Sequence, residues 1–176
     1  MESVNRLHLY TGDGKGKTTA AMGLALRALG HERRVLIAQF VKNGRSGELE
    51  ALRKFPSAHV VEVTPIKKFT FKMTPEEREE ARAQQEQELE QLLLLTRREQ
   101  PQLMVFDELA IAAHLGLVSE EAMWRLIDAG LEYGEVVTTG RSAPDSLKAR
   151  ADYVTELVKR RHPYDEGLKA RLGVEF

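Results

Sequence analysis

The sequence predicts an α/β protein whose mostly parallel sheet is covered by helices on both faces. Strand-like apolar segments alternate with helix-like segments along the 176 residues, and this alternation is typical of parallel strands joined by helical crossovers. The segment from Val35 to Phe40 is apolar-rich, which is the pattern of a strand buried on both faces. No internal repeat or linker-like stretch divides the chain, so we expect one domain over residues 1–176.

The first half of the chain contains strands before and after a well-defined helix. Leu7 to Tyr10 reads as a short strand that a glycine-rich turn interrupts. Good helix formers follow from Lys17 to Leu29, and Gly30 ends this run as a C-terminal cap does. A short helix from Glu48 to Lys54 and a third strand from His59 to Val63 come after the Val35 strand.

The second half begins with the clearest helix start in the sequence. Thr74 supplies a capping hydroxyl, Pro75 suits the first helical position, and acidic residues occupy the first turn. We expect this helix to reach about Arg98 and a fourth strand to follow over Leu103 to Phe106. The remaining predicted elements are a helix capped by Ser119 that ends near Gly130, and strands over Glu135–Thr139 and Tyr153–Val158.

The predicted topology also indicates where a ligand binds. In parallel α/β sheets, ligands occupy the crevice at the carboxyl ends of the strands. We therefore expect the site in the loops that follow Tyr10, Phe40, Phe106 and Thr139.

Composition excludes several kinds of chemistry. The chain has no cysteine, and so no disulfide, thiolate zinc site, iron–sulfur ligation or cysteine nucleophile. Its formal net charge of -1, from 26 Lys and Arg against 27 Asp and Glu, argues against a nucleic acid or an anionic membrane as the main partner. No apolar run reaches the length of a membrane span and the N-terminus lacks a signal-peptide core, so we expect a cytoplasmic protein.

The loop between the first strand and the first helix predicts a nucleotide phosphate site. Three alternating glycines precede Lys17 and Thr18, which open the helix, as in a Walker A loop. Amides of such a loop bind phosphate oxygens, the lysine neutralises their charge and the hydroxyl ligates Mg²⁺. We predict Lys17 and Thr18 as the catalytic residues. The residues predicted to bind ATP through this loop are Gly12, Asp13, Gly14, Lys15, Gly16, Lys17, Thr18 and Thr19.

Two residues of the loop are unusual. Thr11 stands where the strict Walker pattern has glycine. Asp13 carries a negative charge into an anion-binding loop, and its side chain either braces the turn or reaches a ribose hydroxyl.

A second motif supplies metal-binding oxygens. The strand Leu103 to Phe106 ends on Asp107 and Glu108, which resembles a Walker B strand that brings carboxylates to the magnesium of a bound nucleotide. With Thr18 these two acids form the predicted metal site, and either acid is a candidate for the metal-facing role. Arg141 is a candidate cation for phosphate, whereas no acceptor-activating base is evident.

Several segments along nearly the whole chain, from about Leu7 to the C-terminus, carry a family resemblance. They are Thr11–Ala21, Arg27–His31, Gln39–Lys42, Phe69–Phe71, Asp107–Leu109, Thr139–Arg141 and Asp165–Val174. In these segments the chain resembles the P-loop class of ATP:cob(I)alamin (corrinoid) adenosyltransferases. Thr11 is that family's own form of the first Walker position.

The resemblance implies a RecA-like P-loop fold, often in a homodimer, that transfers the 5′-deoxyadenosyl group of ATP to cobalt and releases triphosphate. Reduced Co(I) is itself a strong nucleophile, so this reaction needs no protein base or nucleophile. The protein positions the ribose 5′ carbon and stabilises charge on the departing triphosphate. A reductase or a flavodoxin-like donor is the implied source of electrons, and Mg²⁺ the implied cofactor.

The resemblance also implies roles for residues outside the loop. ATP lies in reversed polarity and Arg27 helps to hold its nucleoside. Phe69 and Phe71 fall where the family places aromatic residues beneath the corrin ring, although the family has Phe-Thr-Trp where this chain has Phe-Thr-Phe. The alternative is that these two aromatics anchor a loop on the core. Some members carry an N-terminal helical extension over the site, for which we expect no room before Thr11.

Two other functions remain open on the residues alone. A P-loop kinase or NTPase of similar fold has the same phosphate loop and produces ADP rather than triphosphate. A nucleotide-dependent delivery module binds ATP and corrinoid without turnover.

Overall fold

A six-stranded parallel sheet forms the centre of the structure, a computed structural model that describes residues 4–41, 46–61, 63, 64, 66, 68 and 70–175. Every neighbouring pair of strands in it is parallel. The spatial order is β3-β2-β4-β5-β1-β6. The strands are β1 (Leu7–Thr11), β2 (Val35–Gln39), β3 (Ala58–Val61), β4 (Leu103–Asp107), β5 (Glu135–Thr139) and β6 (Tyr153–Glu156).

Helices connect these strands. They are α1 (Lys17–Leu29), α2 (Gly47–Leu52), α3 (Pro75–Glu99), α4 (Leu109–His114), α5 (Glu120–Leu131) and α6 (Asp145–Arg150), with 3₁₀ turns over Thr70–Lys72 and Pro163–Glu166. The predicted α/β class is confirmed.

The sheet is buried on both faces because alternate residues of its central strands face different helices. In β2, Val35 and Ile37 belong to a core with α1, whereas Leu36 and Ala38 belong to a core with α3 and α5. This double burial explains why the strand has no polar face. The polar residues that follow the carboxyl ends of the strands lie outside these two cores, in loops at one edge of the sheet.

The predicted helix starts are confirmed in atomic detail. The Thr74 hydroxyl accepts a hydrogen bond from the backbone N–H of Glu77, and the Glu77 side chain accepts one from the N–H of Thr74. This reciprocal capping box satisfies two amides that the first turn leaves unpaired. The Ser119 hydroxyl caps α5 by accepting a hydrogen bond from the N–H of Ala122.

Some elements differ from the sequence-based prediction. Strand β3 ends at Val61 and helix α2 at Leu52, in each case two residues before the predicted end. Helices α4 and α6 have six residues each, which is too short to show helical periodicity. Strand β6 ends at Glu156, two residues early. The N–H of Leu157 still donates to the carbonyl of Thr11, but its own carbonyl accepts from Gly14 of the phosphate loop. The pairing partner, and not the apolar pattern, sets the length of this edge strand.

Within the part of the chain that the structure describes, no helix is both long and apolar enough to cross a membrane.

Two glycines provide a test of the packing. A Cβ at Gly134 would overlap the backbone of Gln102, whereas a Cβ at Gly23, on the exposed side of α1, would meet no atom within 4 Å. We expect Gly134→Ala to lower the free energy of unfolding by about 1–3 kcal/mol, because backbone must move. Gly23→Ala is the matched control and is expected to raise it by about 0.5–1 kcal/mol. Urea unfolding measures both, and an equal effect of the two substitutions would contradict the packing described here.

Candidate active site

The site is a cleft at the carboxyl ends of the strands, with a volume of about 320 Å³. The loops that follow β1, β2, β4 and β5 contribute to it, as the topology predicts. Its lining residues are Gly14, Lys15, Gly16, Lys17, Thr18, Thr19, Ser46, Glu48, Glu108, Arg141, His162, Val174 and Glu175. The structure therefore brings Arg141 and Glu108 to the phosphate loop across two strand ends.

Lys17 is enclosed by the loop that precedes it. Its side chain is only 6% exposed, and Nζ donates hydrogen bonds to the carbonyl oxygens of Gly12 at 2.8 Å and Gly14 at 2.7 Å. The backbone of Gly16 has a φ of 113°, which an L side chain rarely adopts. The loop thus wraps around an ammonium group at the start of α1, where the helix also presents unpaired N–H groups.

Asp107 is the buried acid of the site. Its carboxylate, 0% exposed, accepts hydrogen bonds from the hydroxyl of Thr18 at 2.9 Å and from that of Thr139 at 2.6 Å, both to Oδ1. Its other oxygen, Oδ2, accepts one from Nε2 of Gln39 at 2.8 Å. The parallel register places Gln39 beside Asp107, so the ends of β2, β4 and β5 meet the phosphate loop at one carboxylate.

Glu108, the second candidate acid, lines the cleft. Its backbone has a φ of 62°, and its N–H donates to the hydroxyl of Thr139 at 2.9 Å. This left-handed residue turns the chain from β4 into α4, and Glu108 lines the cleft whereas Asp107 does not. The two candidate acids are therefore separated: Asp107 holds the Thr18 hydroxyl, and Glu108 faces the open site.

These oxygen donors fit a magnesium ion that arrives with a nucleotide. The described ranges contain no cluster of three or more His, Cys, Asp or Glu side chains able to hold a metal. Mg²⁺ is usually bound through one or two protein oxygens together with phosphates and waters. The Thr18 hydroxyl donates its hydrogen to Asp107, so toward a cation its oxygen would act as an acceptor.

Asp13 braces the turn. Its Oδ1 accepts a hydrogen bond from the backbone N–H of Lys159 at 3.1 Å, and this bond holds the pKa of the Asp13 carboxyl below its usual value. The neighbouring Gly14 N–H donates to the carbonyl of Leu157 at 2.6 Å. The segment after β6 therefore lies against the phosphate loop, and the acid of the loop points at that segment.

The same contact explains two of the loop glycines. A Cβ at Gly12 would lie 2.5 Å from the Leu157 carbonyl oxygen, and one at Gly14 would lie 2.6 Å from it. Both glycines are thus required by the close approach of backbone.

The C-terminal segment reaches the cleft, which the sequence reasoning missed. Nζ of Lys15 lies 3.2 Å from Oε1 of Glu175, and the Arg171 guanidinium donates to the same carboxylate. The hydrogen bonds from Arg171 are the main cause that lowers the pKa of Glu175 to about 2. The shared motif over Asp165–Val174 was the available signal, but a motif does not show what it packs against.

Arg27 does not line this cleft. It follows Lys17 by ten residues in α1, a rise of ~15 Å. It borders a separate cavity of about 370 Å³ with Leu103 and Glu135, the first residues of β4 and β5. Arg27 therefore lies near the end of α1 that is remote from the phosphate loop, and its contact with the nucleoside stays a prediction.

The aromatic pair is only partly described. Phe69 lies outside the described residues. Phe71 is 79% exposed within the 3₁₀ turn Thr70–Lys72 and does not line the phosphate cleft. This exposure argues against the alternative in which Phe71 anchors a loop on the core; the ring centroid lies 5.8 Å from Nζ of Lys72.

A parallel α/β sheet with a Walker A loop, a buried acid on its threonine and a second acid in the cleft defines a P-loop nucleotide-binding protein. Comparison with known sequences gives the family. Residues 4–176 match the profile described as ATP:corrinoid adenosyltransferase BtuR/CobO/CobP. The chain belongs to this family, a class of transferases that act on ATP and a corrinoid.

Individual relatives agree with this assignment. The chain is 36% identical to the corrinoid adenosyltransferase of Pseudomonas aeruginosa over 97% of its own length and 83% of that protein. It is 31% identical to the corrinoid adenosyltransferase CobA of Salmonella typhimurium and 30% identical to the corrinoid adenosyltransferase of Escherichia coli K12, in each case over 96% of this chain and 84% of the relative.

The Lys15–Glu175 contact predicts a competition. A carboxylate with a pKa of about 2 is ionised at neutral pH and occupies a cation that a triphosphate needs. We expect Glu175→Gln to tighten ATP binding about two- to fivefold, the range for an exposed ion pair. Calorimetric titration measures this affinity. Glu166→Gln is the control, since Glu166 lies in the same segment but does not line the cleft; weaker binding in the Glu175 variant would contradict the prediction.

Proposed function

We propose that the cleft binds ATP with its triphosphate on the loop 12–16, and that the 5′-deoxyadenosyl group passes from there to the Co(I) centre of a reduced corrinoid. The observation that supports this most directly is the hydroxyl of Thr18 held by Asp107 beside the enclosed Lys17. This arrangement offers cations and lone pairs to phosphate and metal. In a family of corrinoid adenosyltransferases, such a site is suited to stabilising a triphosphate leaving group.

In the proposed reaction, cobalt attacks the ribose 5′ carbon and the bond from that carbon to the triphosphate oxygen breaks. The electron pair of the broken bond leaves with the triphosphate. Lys17 and Arg141 are placed to neutralise this charge, together with amides at the start of α1. Magnesium, when bound, adds positive charge at the same group, and Thr18 and Glu108 are the residues that would hold it.

The one histidine among the described lining residues is not arranged as a base. Nδ1 of His162 accepts a hydrogen bond from the backbone N–H of Tyr164 at 3.2 Å. In the neutral ring the proton is then assigned to Nε2, which leaves no nitrogen free to accept another.

The product distinguishes the candidate functions. We expect ATP, Mg²⁺ and pre-reduced cob(I)alamin to yield adenosylcobalamin and intact triphosphate. Separation of the nucleotide products by ion-exchange chromatography and the absorbance of the corrinoid give both products independently. ADP with a phosphorylated acceptor would support a kinase, and binding without turnover would support a delivery module; either result would overturn the proposal.

Lys17→Ala tests the phosphate loop. We expect its rate of adenosyl transfer to fall at least about 10²-fold, the usual cost of removing one group that stabilises developing negative charge. Lys148→Ala, on exposed α6, serves as the matched control and should retain full activity. Near-normal turnover in the Lys17 variant would show that the loop does not hold the triphosphate.

Phe71→Ala tests the proposed contact with the corrin ring, which rests on the family resemblance and on the exposure of the ring. We expect a larger loss when the assay starts from Co(II) than when it starts from Co(I), because the aromatic residue is proposed to remove the lower axial ligand before reduction. Phe55→Ala, at an exposed aromatic residue shortly after α2, is the control. Equal losses from the two starting states would contradict this role.

We also propose that the enzyme works in the cytoplasm as a homodimer with Mg²⁺, and that a reductase or a flavodoxin-like protein supplies the electron for Co(I). Family membership supports these statements. The chemistry supports the electron donor, since the described cleft is lined by no redox-active side chain.

A further inference from the structure

Gln39 is a buried amide at the point where β2 reaches the active site. The four residues before it are apolar, and Gln39 itself is only 3% exposed. An amide costs free energy when it leaves water unless its polar atoms are hydrogen-bonded. Its Oε1 is buried and makes no hydrogen bond within the described residues. The position of the Gln39 side chain therefore leaves one of its own polar atoms, Oε1, without a hydrogen bond among the described residues.

The Gln39 amide donates a hydrogen bond to the Asp107 carboxylate. Nε2 donates to Oδ2 at 2.8 Å, on the oxygen for which the Thr18 hydroxyl is the more distant donor, at 3.2 Å. The alternative orientation of the amide would set Oε1 against Oδ2, which places two acceptors face to face. The donor is thus forced toward Asp107, and the unpartnered oxygen follows from that orientation.

Three donors fix the rotation of this carboxylate. Thr18 and Thr139 hold Oδ1, and Gln39 holds Oδ2 from the neighbouring strand. Because Asp107 receives the hydroxyl hydrogen of Thr18, its orientation decides where the lone pairs of that hydroxyl point. Removing the Gln39 donor takes away the shorter of the bonds described at Oδ2 and leaves the 3.2 Å bond from Thr18, which weakens the constraint on rotation of the carboxylate.

We infer that Gln39 is a positioning residue for binding of the metal–nucleotide complex. It acts through Asp107 on the Thr18 hydroxyl and touches neither nucleotide nor metal. The inference rests on the proposed binding of Mg²⁺ and ATP in this cleft, and it extends the site to a residue of β2.

A second buried glutamine, Gln85, serves as the control for the effect of losing a buried amide on folding alone. Gln85 in α3 is 1% exposed, its Nε2 donates to a carboxylate oxygen of Glu88 at 3.0 Å, and its Oε1 also makes no hydrogen bond within the described residues. Neither glutamine lines the cleft. They differ in their partner, because Gln39 donates to the carboxylate that holds Thr18 whereas Gln85 donates to Glu88 of its own helix. Replacing either glutamine by methionine removes the same groups at nearly constant size.

The experiment measures binding of Mn²⁺·ATP to the whole protein in the absence of corrinoid. Electron paramagnetic resonance of free Mn²⁺ gives the affinity of the metal complex, and calorimetry with EDTA gives that of metal-free ATP. For Gln39→Met we expect Mn²⁺·ATP to bind about tenfold more weakly, the effect of one hydrogen bond to a charged group, with metal-free ATP changed less than about twofold. For Gln85→Met we expect neither affinity to change more than about twofold.

Equal losses in the two variants, or an equal loss for metal-free ATP, would overturn the inference. Thermal unfolding is recorded first for each variant. If Gln39→Met does not fold, Gln39→Leu takes its place with the same expectation, since it also removes the donor without adding a charge beside Asp107.

The outcome is independent of the reaction. If the wild type binds Mn²⁺·ATP but forms ADP, the proposed transfer fails while the role of Gln39 stands. If the wild type forms adenosylcobalamin and Gln39→Met binds Mn²⁺·ATP normally, the role of Gln39 fails while the transfer stands.

Discussion

The carboxylate of Asp107 is fully buried at the end of the central strand β4, and the geometry of the site depends on it. A buried carboxylate is costly unless several donors reach it. Here the donors come from three different places: Gln39 at the end of β2, Thr139 at the end of β5, and Thr18 in the phosphate loop. Their convergence requires the strand order in which β4 lies between β2 and β5. The sheet therefore positions the loop hydroxyl, and the cleft forms around that point.

The phosphate loop is supported from its outer side by the segment after β6. Leu157 approaches so closely that Gly12 and Gly14 have no space for a side chain. Asp13, which would repel phosphate if it faced inward, instead accepts the N–H of Lys159. A loop usually described by its affinity for phosphate is thus equally constrained by packing within the protein. The edge strand β6 matters to the site because it delivers this segment.

Charge in the described lining of the cleft is balanced. The cations Lys15, Lys17 and Arg141 stand with the carboxylates Glu48, Glu108 and Glu175. This local balance agrees with a formal net charge of -1 for the whole chain, which suits small charged ligands better than a phosphate polymer. An incoming triphosphate brings several negative charges into this balance, so a divalent cation that accompanies it offsets part of them. Nucleotide and metal are therefore expected to bind as one unit.

The sequence by itself determined the α/β class, the strand-helix alternation and the loop that holds Lys17, because burial period, helix caps and glycine spacing are local signals. It also placed two acids at the end of one strand without assigning their roles. Only the tertiary structure shows that Asp107 contacts Thr18 whereas Glu108 lines the cleft. It also shows that Gln39 lies beside Asp107 and that Arg27 borders a different cavity. It alone brought Lys159 to Asp13 and Glu175 to Lys15, across 146 and 160 residues of chain. Contacts at such separation depend on strand order and on the path of the chain after an edge strand, which no local pattern encodes.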